Sequence, residues 1–209
     1  LFHALRSAIL LREIQPDEPM KETRIGRDYN CSQGTVREAL MRLQEEGLVS
    51  RRGYRGTIAT RSTLAEAVQM AEIRIKLEVE GIRRTARVVT DKELALFEAS
   101  LSDMTRAKTD GDDYALSEAD RKFHLLIFHC SGLAALEPIL RRCMLHMHLQ
   151  TFGHPPSEIT TEYPEVAHRP IFDALHQRDP DRAAVEIAAH INQMIGLGAP
   201  QLKSAMDAR

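Results

Sequence analysis

The sequence predicts a mainly α fold in two parts: a small N-terminal unit of three helices closed by a two-stranded hairpin, and a larger C-terminal all-helical bundle. Three observations predict it. Apolar residues recur at helical rather than strand spacing through most of the chain. Two short strand-like runs, Leu48-Val49-Ser50 and Thr57-Ile58-Ala59, flank a basic, glycine-bearing segment. Helix-start signals, Thr63 with Glu66 and Thr90 with Glu93, then punctuate a long stretch with no convincing strand. The expected division is residues 1–62 and 63–209.

In chain order, Phe2, Leu5, Ile9 and Leu10 form the apolar face of a first helix. Gln15-Pro16-Asp17-Glu18-Pro19 reads as a turn, and a short helix over about Lys21 to Tyr29 ends at Asn30. Ser32 is a good N-cap for a third helix. Val36, Leu40 and Leu43, with Ala39 beside them, make its apolar stripe and leave Gln33, Thr35, Arg37 and Arg42 on other faces. Gly47 stops it. The hairpin tip Arg51-Arg52-Gly53-Tyr54-Arg55-Gly56 carries three arginines and cannot be a core element. Helix, helix, turn, helix and wing in this order is a winged helix-turn-helix, which places its third helix in a DNA major groove. The bland alternative is an amphipathic helix beside a charged surface hairpin.

From Thr63 the pattern is helical to about Val89, and from Thr90 to roughly Thr109. Gly111-Asp112-Asp113 breaks the chain before a helix that runs to Cys130 and is closed by Ser131-Gly132. A further periodic segment covers about Leu136 to Phe152, and a polar loop with prolines runs from Gly153 to Pro164. Two helices follow, about 165–178 and 180–197, the last with Asp179 as N-cap and Pro180 in its first turn. These helices are ample for a core of their own.

With 209 residues, 43% hydrophobic and 28% charged, the composition is that of a globular protein. No run approaches the ~18 apolar residues of a membrane span and no signal-peptide pattern is present, so a cytoplasmic location is expected. The chain opens at Leu1 rather than Met, which leaves open a preceding segment. The net charge is −2, but residues 1–60 hold 10 Lys/Arg against 8 Asp/Glu, leaving 18 against 22 for the rest. The basic excess therefore lies with the hairpin, where phosphate contacts need it. Cys31, Cys130 and Cys143 form no CxxC pair, which argues against a disulfide framework or a thiolate zinc site and reads as three buried small hydrophobes.

Candidate chemistry lies in the bundle. Asp120 and His124, four residues apart, project from one helix face, and His168 and His190 lie on the last two helices. One carboxylate and three imidazoles suit a divalent transition metal such as zinc, nickel or manganese. From spacing alone a histidine on a helix is more often a surface or hydrogen-bonded residue than a ligand, the reading given to His3, His129, His146, His148, His154 and His176. His146 and His148 point to opposite sides of one helix, so at most one faces the interior. Arg74 either faces a cavity, where a guanidinium grips a carboxylate bidentately, or is an exposed residue paired with Glu78 one turn on.

Both halves resemble the GntR superfamily of bacterial transcription regulators, in the FadR-like group with a C-terminal FCD domain. The head signature, approximately V-S-R-x-P-V-R-E-A-L-x-R-L-E-x-E-G-L-V and then R-G-x-R-G-T-x-V, is matched by residues 31–49 and by Arg52 to Ala59. In the bundle, Asp120-Arg121-Lys122-Phe123-His124 resembles D-x-x-F-H, joined by Ser131-Gly132, by His168 with Ile171, Ala174 and Leu175, by Asp179 with Ala183, and by His190-Ile191. In metal-binding FCD domains these aspartate and histidine positions hold the ion, which implies a site at Asp120, His124, His168 and His190. Arg74 falls in a stretch similar to E-x-R-x-x-L-E, where an arginine can reach the effector. Gln33 stands where arginine is common, and Thr35 where proline is usual. Glutamine pairs with adenine where arginine prefers guanine. Thr23 to Tyr29 lacks the usual leucine-alanine pair.

The resemblance implies a homodimeric, ligand-responsive regulator, not an enzyme, with a double-stranded DNA operator and a small carboxylate such as a sugar acid or hydroxy acid as partners. Arg37, Arg51, Arg52, Arg55 and Gly56 would meet the phosphate backbone, while Ser32, Gln33 and Thr35 would touch base edges or adjacent phosphates. The rivals are a metal-dependent hydrolase with an accessory head, which needs a free base beside the ion, and a constitutive architectural DNA binder.

Overall fold

A computed structural model of the chain describes residues 1–53, 56–151 and 164–209. The head contains α1 (Phe2–Leu10), α2 (Glu22–Asp28) and α3 (Gln33–Glu45), followed by β1 (Val49–Arg51) and β2 (Thr57–Ala59). The strands pair antiparallel, with Val49 opposite Ala59 and Arg51 opposite Thr57. Ser32 caps α3 as expected: its hydroxyl accepts from the Thr35 backbone N–H at 3.2 Å. Gly47, at φ +79°, takes the left-handed turn that releases the chain from α3 into β1.

Residues 17–20 are more than the expected turn. The Met20 N–H donates to the Thr57 carbonyl at 2.8 Å, and the Ala59 N–H donates to that of Glu18 at 3.0 Å. This segment adds a short edge to the wing, and Pro19, which lacks a donor, is tolerated there because an edge strand needs bonds on one side only. The atypical second helix is anchored by Ile25, which is buried in the head core.

The bundle contains α4 (Leu64–Val88), α5 (Asp91–Thr109), α6 (Asp113–Cys130), α7 (Glu137–Thr151), α8 (Pro164–His176), α9 (Pro180–Gly198) and α10 (Pro200–Asp207). Both expected capping boxes form, at Thr63 with Glu66 and at Thr90 with Glu93. Asp112 and Asp179 cap α6 and α9 more simply, each side chain accepting from a backbone N–H three residues on, that of Ala115 and that of Arg182. A 3-10 turn, Ala134–Leu136, precedes α7, and α10 is an addition to the expected set, restarted by Pro200 after Ala199. Of the expected loop, Pro164 opens α8 and the rest lies outside the described residues. No helix among the described residues is long and apolar enough to cross a membrane.

Long helix α4 packs against α6, α7 and α9. Phe97, Leu101, Met104, Phe123, Ile127, Ile187 and Ile191 fill the space between the helices. At Gly81 a Cβ would lie 2.6 Å from Phe128 Cδ2, so α4 and α6 approach more closely than a side chain allows. Gly81→Ala is expected to destabilise by about 1–3 kcal/mol despite alanine's better helix propensity, because a buried ring must shift. A urea midpoint equal to that of the parent chain would contradict this.

The three cysteines are free, but only Cys143 is buried. Cys31 and Cys130 are half-buried because each sits at an element end, one in the turn before α3 and one in the last residue of α6.

The head does not stand apart from the bundle. Leu145 and Leu149 of α7 belong to the same apolar cluster as Leu5, Ile9, Leu40 and Leu43. Beside them Arg6 is 1% exposed. Its Nε donates to Glu46 at 2.7 Å and its Nη1 to the Tyr114 hydroxyl at 3.2 Å and to Glu118. Burial alone would weaken the Arg6 charge; Glu118 and Glu46 more than offset this and raise its pKa.

Candidate metal centre and nucleic-acid interface

Helical geometry assembles the bundle site. Asp120 and His124 share one face of α6, while α8 and α9 bring His168 and His190 against that face. One ligand atom from each of the four lies within 4.8 Å of those from the others. Asp120 Oδ1 is 3.1 Å from His168 Nε2 and 3.8 Å from His124 Nε2. The His168 and His190 ring centroids are 4.2 Å apart. Phe123 meets the His168 ring edge-on at 5.0 Å, closing one side of the cluster with an apolar wall.

The protonation states fit a cation. Burial pushes the Asp120 carboxyl up, but the His168 contact and the neighbouring imidazoles hold it well below the usual range, so it is ionised at neutral pH. Burial, with the charges of His168 and His124, holds the His190 imidazole far below its ordinary value and so neutral. His124 Nε2 and His190 Nδ1 are buried with no hydrogen-bond partner among the described residues. Buried nitrogens without a partner are costly, and a metal ion is one group that would satisfy them. The donor set present therefore fits a divalent transition metal.

Arg74 reconciles the two readings offered for it. It does pair with Glu78, Nε to Oε1 at 2.6 Å, but the pair is buried rather than exposed. The other Glu78 oxygen meets His124 Nδ1. Glu78 is thus the carboxylate that fixes how His124 presents Nε2, a role that spacing along the chain did not reveal. With both oxygens engaged, it is no free base of the kind a hydrolase requires. Arg74 Nη1 has the weak acceptor Met147 Sδ at 4.0 Å, so among the described residues this edge of the guanidinium has no strong partner.

Two histidines passed over in the sequence are also enclosed. His148 faces the interior: its Nδ1 is 3.2 Å from the Ser117 hydroxyl, and burial lowers its pKa to about 4. On the other side of α7, His146 is buried without a hydrogen bond at either nitrogen among the described residues. Burial and the nearby Arg142 lower its pKa. His148 is thus hydrogen-bonded inside the bundle, one of the readings left open for it, and the surface reading is corrected for His146, which neighbouring elements enclose.

In the head, Ser32, Gln33, Thr35 and Arg37 at the start of α3 are exposed, as are Arg51, Arg52 and Gly56 in the wing. Arg55 lies outside the described residues. Arg37 Nε pairs with Glu22 at 2.8 Å, an exposed contact weak enough to be exchanged for a phosphate. Ser32 and Thr35 hydroxyls are 3.0 Å apart, which couples the cap to the helix start.

Comparison with known proteins agrees with this architecture. The repressor RspR of Escherichia coli K12 is 27% identical over 201 residues, spanning 93% of this chain and 85% of its own length. The Nta operon transcriptional regulator of Aminobacter aminovorans is 24% identical over 182 residues, with 86% and 83% covered. Among solved structures, Escherichia coli McbR/YncC superposes with a TM-score of 0.78 at 19% identity, covering 96% of this chain and 95% of that one. Lar, which controls the agr system of Listeria monocytogenes, gives 0.64 at 19% identity, with 95% and 94% covered. Residues 1–58 match the family model for bacterial regulatory proteins of the gntR family, and residues 69–193 match the FCD domain. The chain therefore belongs to the GntR family of transcriptional regulators, with a DNA-binding helix-turn-helix head and an FCD effector-binding domain.

Proposed function

We propose that this regulator is a dimeric repressor in which residues 1–62 read a palindromic operator and residues 63–209 sense a small carboxylate through a bound metal ion. The observation that carries the sensor reading is the convergence of Asp120, His124, His168 and His190, with ligand atoms within 4.8 Å of one another. These residues would hold zinc, nickel or manganese. The ion would act as a Lewis acid that accepts a carboxylate oxygen. Arg74, oriented by Glu78, offers the same ligand its remaining N–H groups, a pairing suited to a sugar acid or hydroxy acid.

Ser32, Gln33 and Thr35 lie where a recognition helix meets base edges, and Arg37, Arg51, Arg52, Arg55 and Gly56 supply the backbone contacts. Gln33 directs this head toward adenine rather than guanine at its position. The name of RspR supports the repressor assignment.

The test is a panel of sugar acids and hydroxy acids added to zinc-loaded protein. A true effector raises the melting temperature and changes affinity for a duplex selected from random sequence by the protein itself. An absence of both effects across the panel would defeat the carboxylate reading. In the head, Arg37→Ala is expected to weaken that duplex at all sequences alike and to reduce the slope of log affinity against log salt by about 1. An unchanged slope would remove Arg37 from the interface.

A further inference from the structure

Glu46 is the C-cap residue of α3, where a carboxylate is disfavoured by the negative end of the helix dipole. It is held there by a charge from another helix, Arg6 Nε on α1 at 2.7 Å. The same guanidinium reaches Tyr114 and Glu118 on α6. Glu118 is gripped in turn by Arg121, whose Nε is 3.2 Å away. Asp120 and His124 lie on the same helix, within six residues of Glu118. His148, bonded to Ser117 one residue before Glu118, sits among the charges of Asp120, Arg74, Arg6 and Glu118.

A fully buried arginine between two glutamates is not an efficient way to stabilise an interface, since apolar side chains of similar volume do as well or better. What such a network supplies is register: it permits one docking geometry and penalises others. Arg6 Nη2 is buried with no hydrogen-bond partner among the described residues, so the network is not fully satisfied by them even in this arrangement.

We propose that Arg6 is the positioning residue that couples the ligand cavity to DNA binding: by clamping Glu46 at the end of the recognition helix to Glu118 on the metal-bearing helix, it makes the head follow any displacement of α6. This rests on the DNA-reading and metal-site assignments made above. Packing at Leu145 and Leu149 keeps the head attached, and the Arg6 clamp sets its angle.

The test uses the full chain, zinc as the only added ligand, and a duplex selected by the unaltered protein. Coupling of ordinary strength shifts duplex affinity by about fivefold or more on zinc addition. Glu118→Gln keeps the shape and removes the charge. It is expected to bind the same amount of zinc, to change zinc-free duplex affinity, and to reduce the zinc-dependent shift to less than about twofold. Glu46→Gln should do the same, and the double variant should do no more than either single one, because both act through Arg6.

Glu118→Asp, which retains charge and shortens the side chain, serves if the glutamine variant does not fold; it should weaken the zinc response while preserving zinc content. Variants that lose only stability and keep the full shift would overturn the proposal, as would a parent chain whose duplex affinity ignores bound zinc. Failure of the parent to bind zinc, or to select any duplex, would instead strike at the site assignments themselves.

Discussion

Replacing Glu78 by alanine is expected to lower the stability of the metal-free chain by about 3–5 kcal/mol, the cost of leaving a buried charge without its partner. Glu78 is 1% exposed and lies between Arg74 and His124. Without it the Arg74 guanidinium is an uncompensated charge in the interior. The double change Arg74→Met with Glu78→Leu should recover most of the loss, because removing both charges avoids the desolvation that removing one creates. A single variant within about 1 kcal/mol of the parent in urea would contradict the assignment.

The pH dependence follows from the same contacts. Burial raises the Glu78 carboxyl, but His124 and Arg74 outweigh it and hold the pKa below the ordinary 4.5. A depressed folded value means that the group's stabilisation is fully present above about pH 4.5 and is lost as pH falls through the folded value. The gap between parent and Glu78→Gln should therefore be constant near neutrality and close in acid. A gap that widened as pH fell would show the sign to be wrong.

The second large effect is that of the ion. Zinc at a hundred times its dissociation constant should stabilise the chain by about 2.7 kcal/mol. For a chain of this length that corresponds to a rise of roughly 5–10 °C in melting temperature. Asp120 is already ionised and His190 already neutral at pH 7, so neither must change protonation to accept the metal. His168→Ala should abolish the rise and the bound zinc together. Retention of a full equivalent of zinc by that variant would show that the cluster is not the site.

What could be read from the sequence was local. The Asp120 and His124 pair is visible because one helical turn separates them, and the caps at Ser32, Thr63, Thr90 and Asp179 are visible because each acts within three residues. The bundle partners were not visible in the same way. Glu78 meets His124 across 46 positions and Arg6 meets Glu118 across 112, and no periodicity encodes a pairing at that distance. Arg6 looks like one polar residue on an amphipathic helix until α6 and α7 are set beside it. His146 reads as a surface or hydrogen-bonded residue for a similar reason: spacing along α7 does not show which of its faces other elements cover. The assumption that an arginine with an i+4 glutamate is exposed failed at Arg74, because a third residue, His124, shares the pair inside the bundle.

The junction at Arg6 also has a consequence for biosynthesis. The head's contacts within residues 1–60 can form as soon as that segment leaves the ribosome, but Glu118, Leu145 and Leu149 are made much later. Until then the nascent head carries an arginine bonded to Glu46 but not yet to Glu118, and an uncovered apolar face, features that favour chaperone capture or self-association. The chain thus acquires its ability to meet DNA before it acquires the surface that governs the angle of approach. Slow translation between the head and α7 should prolong that interval and lower the yield of assembled protein.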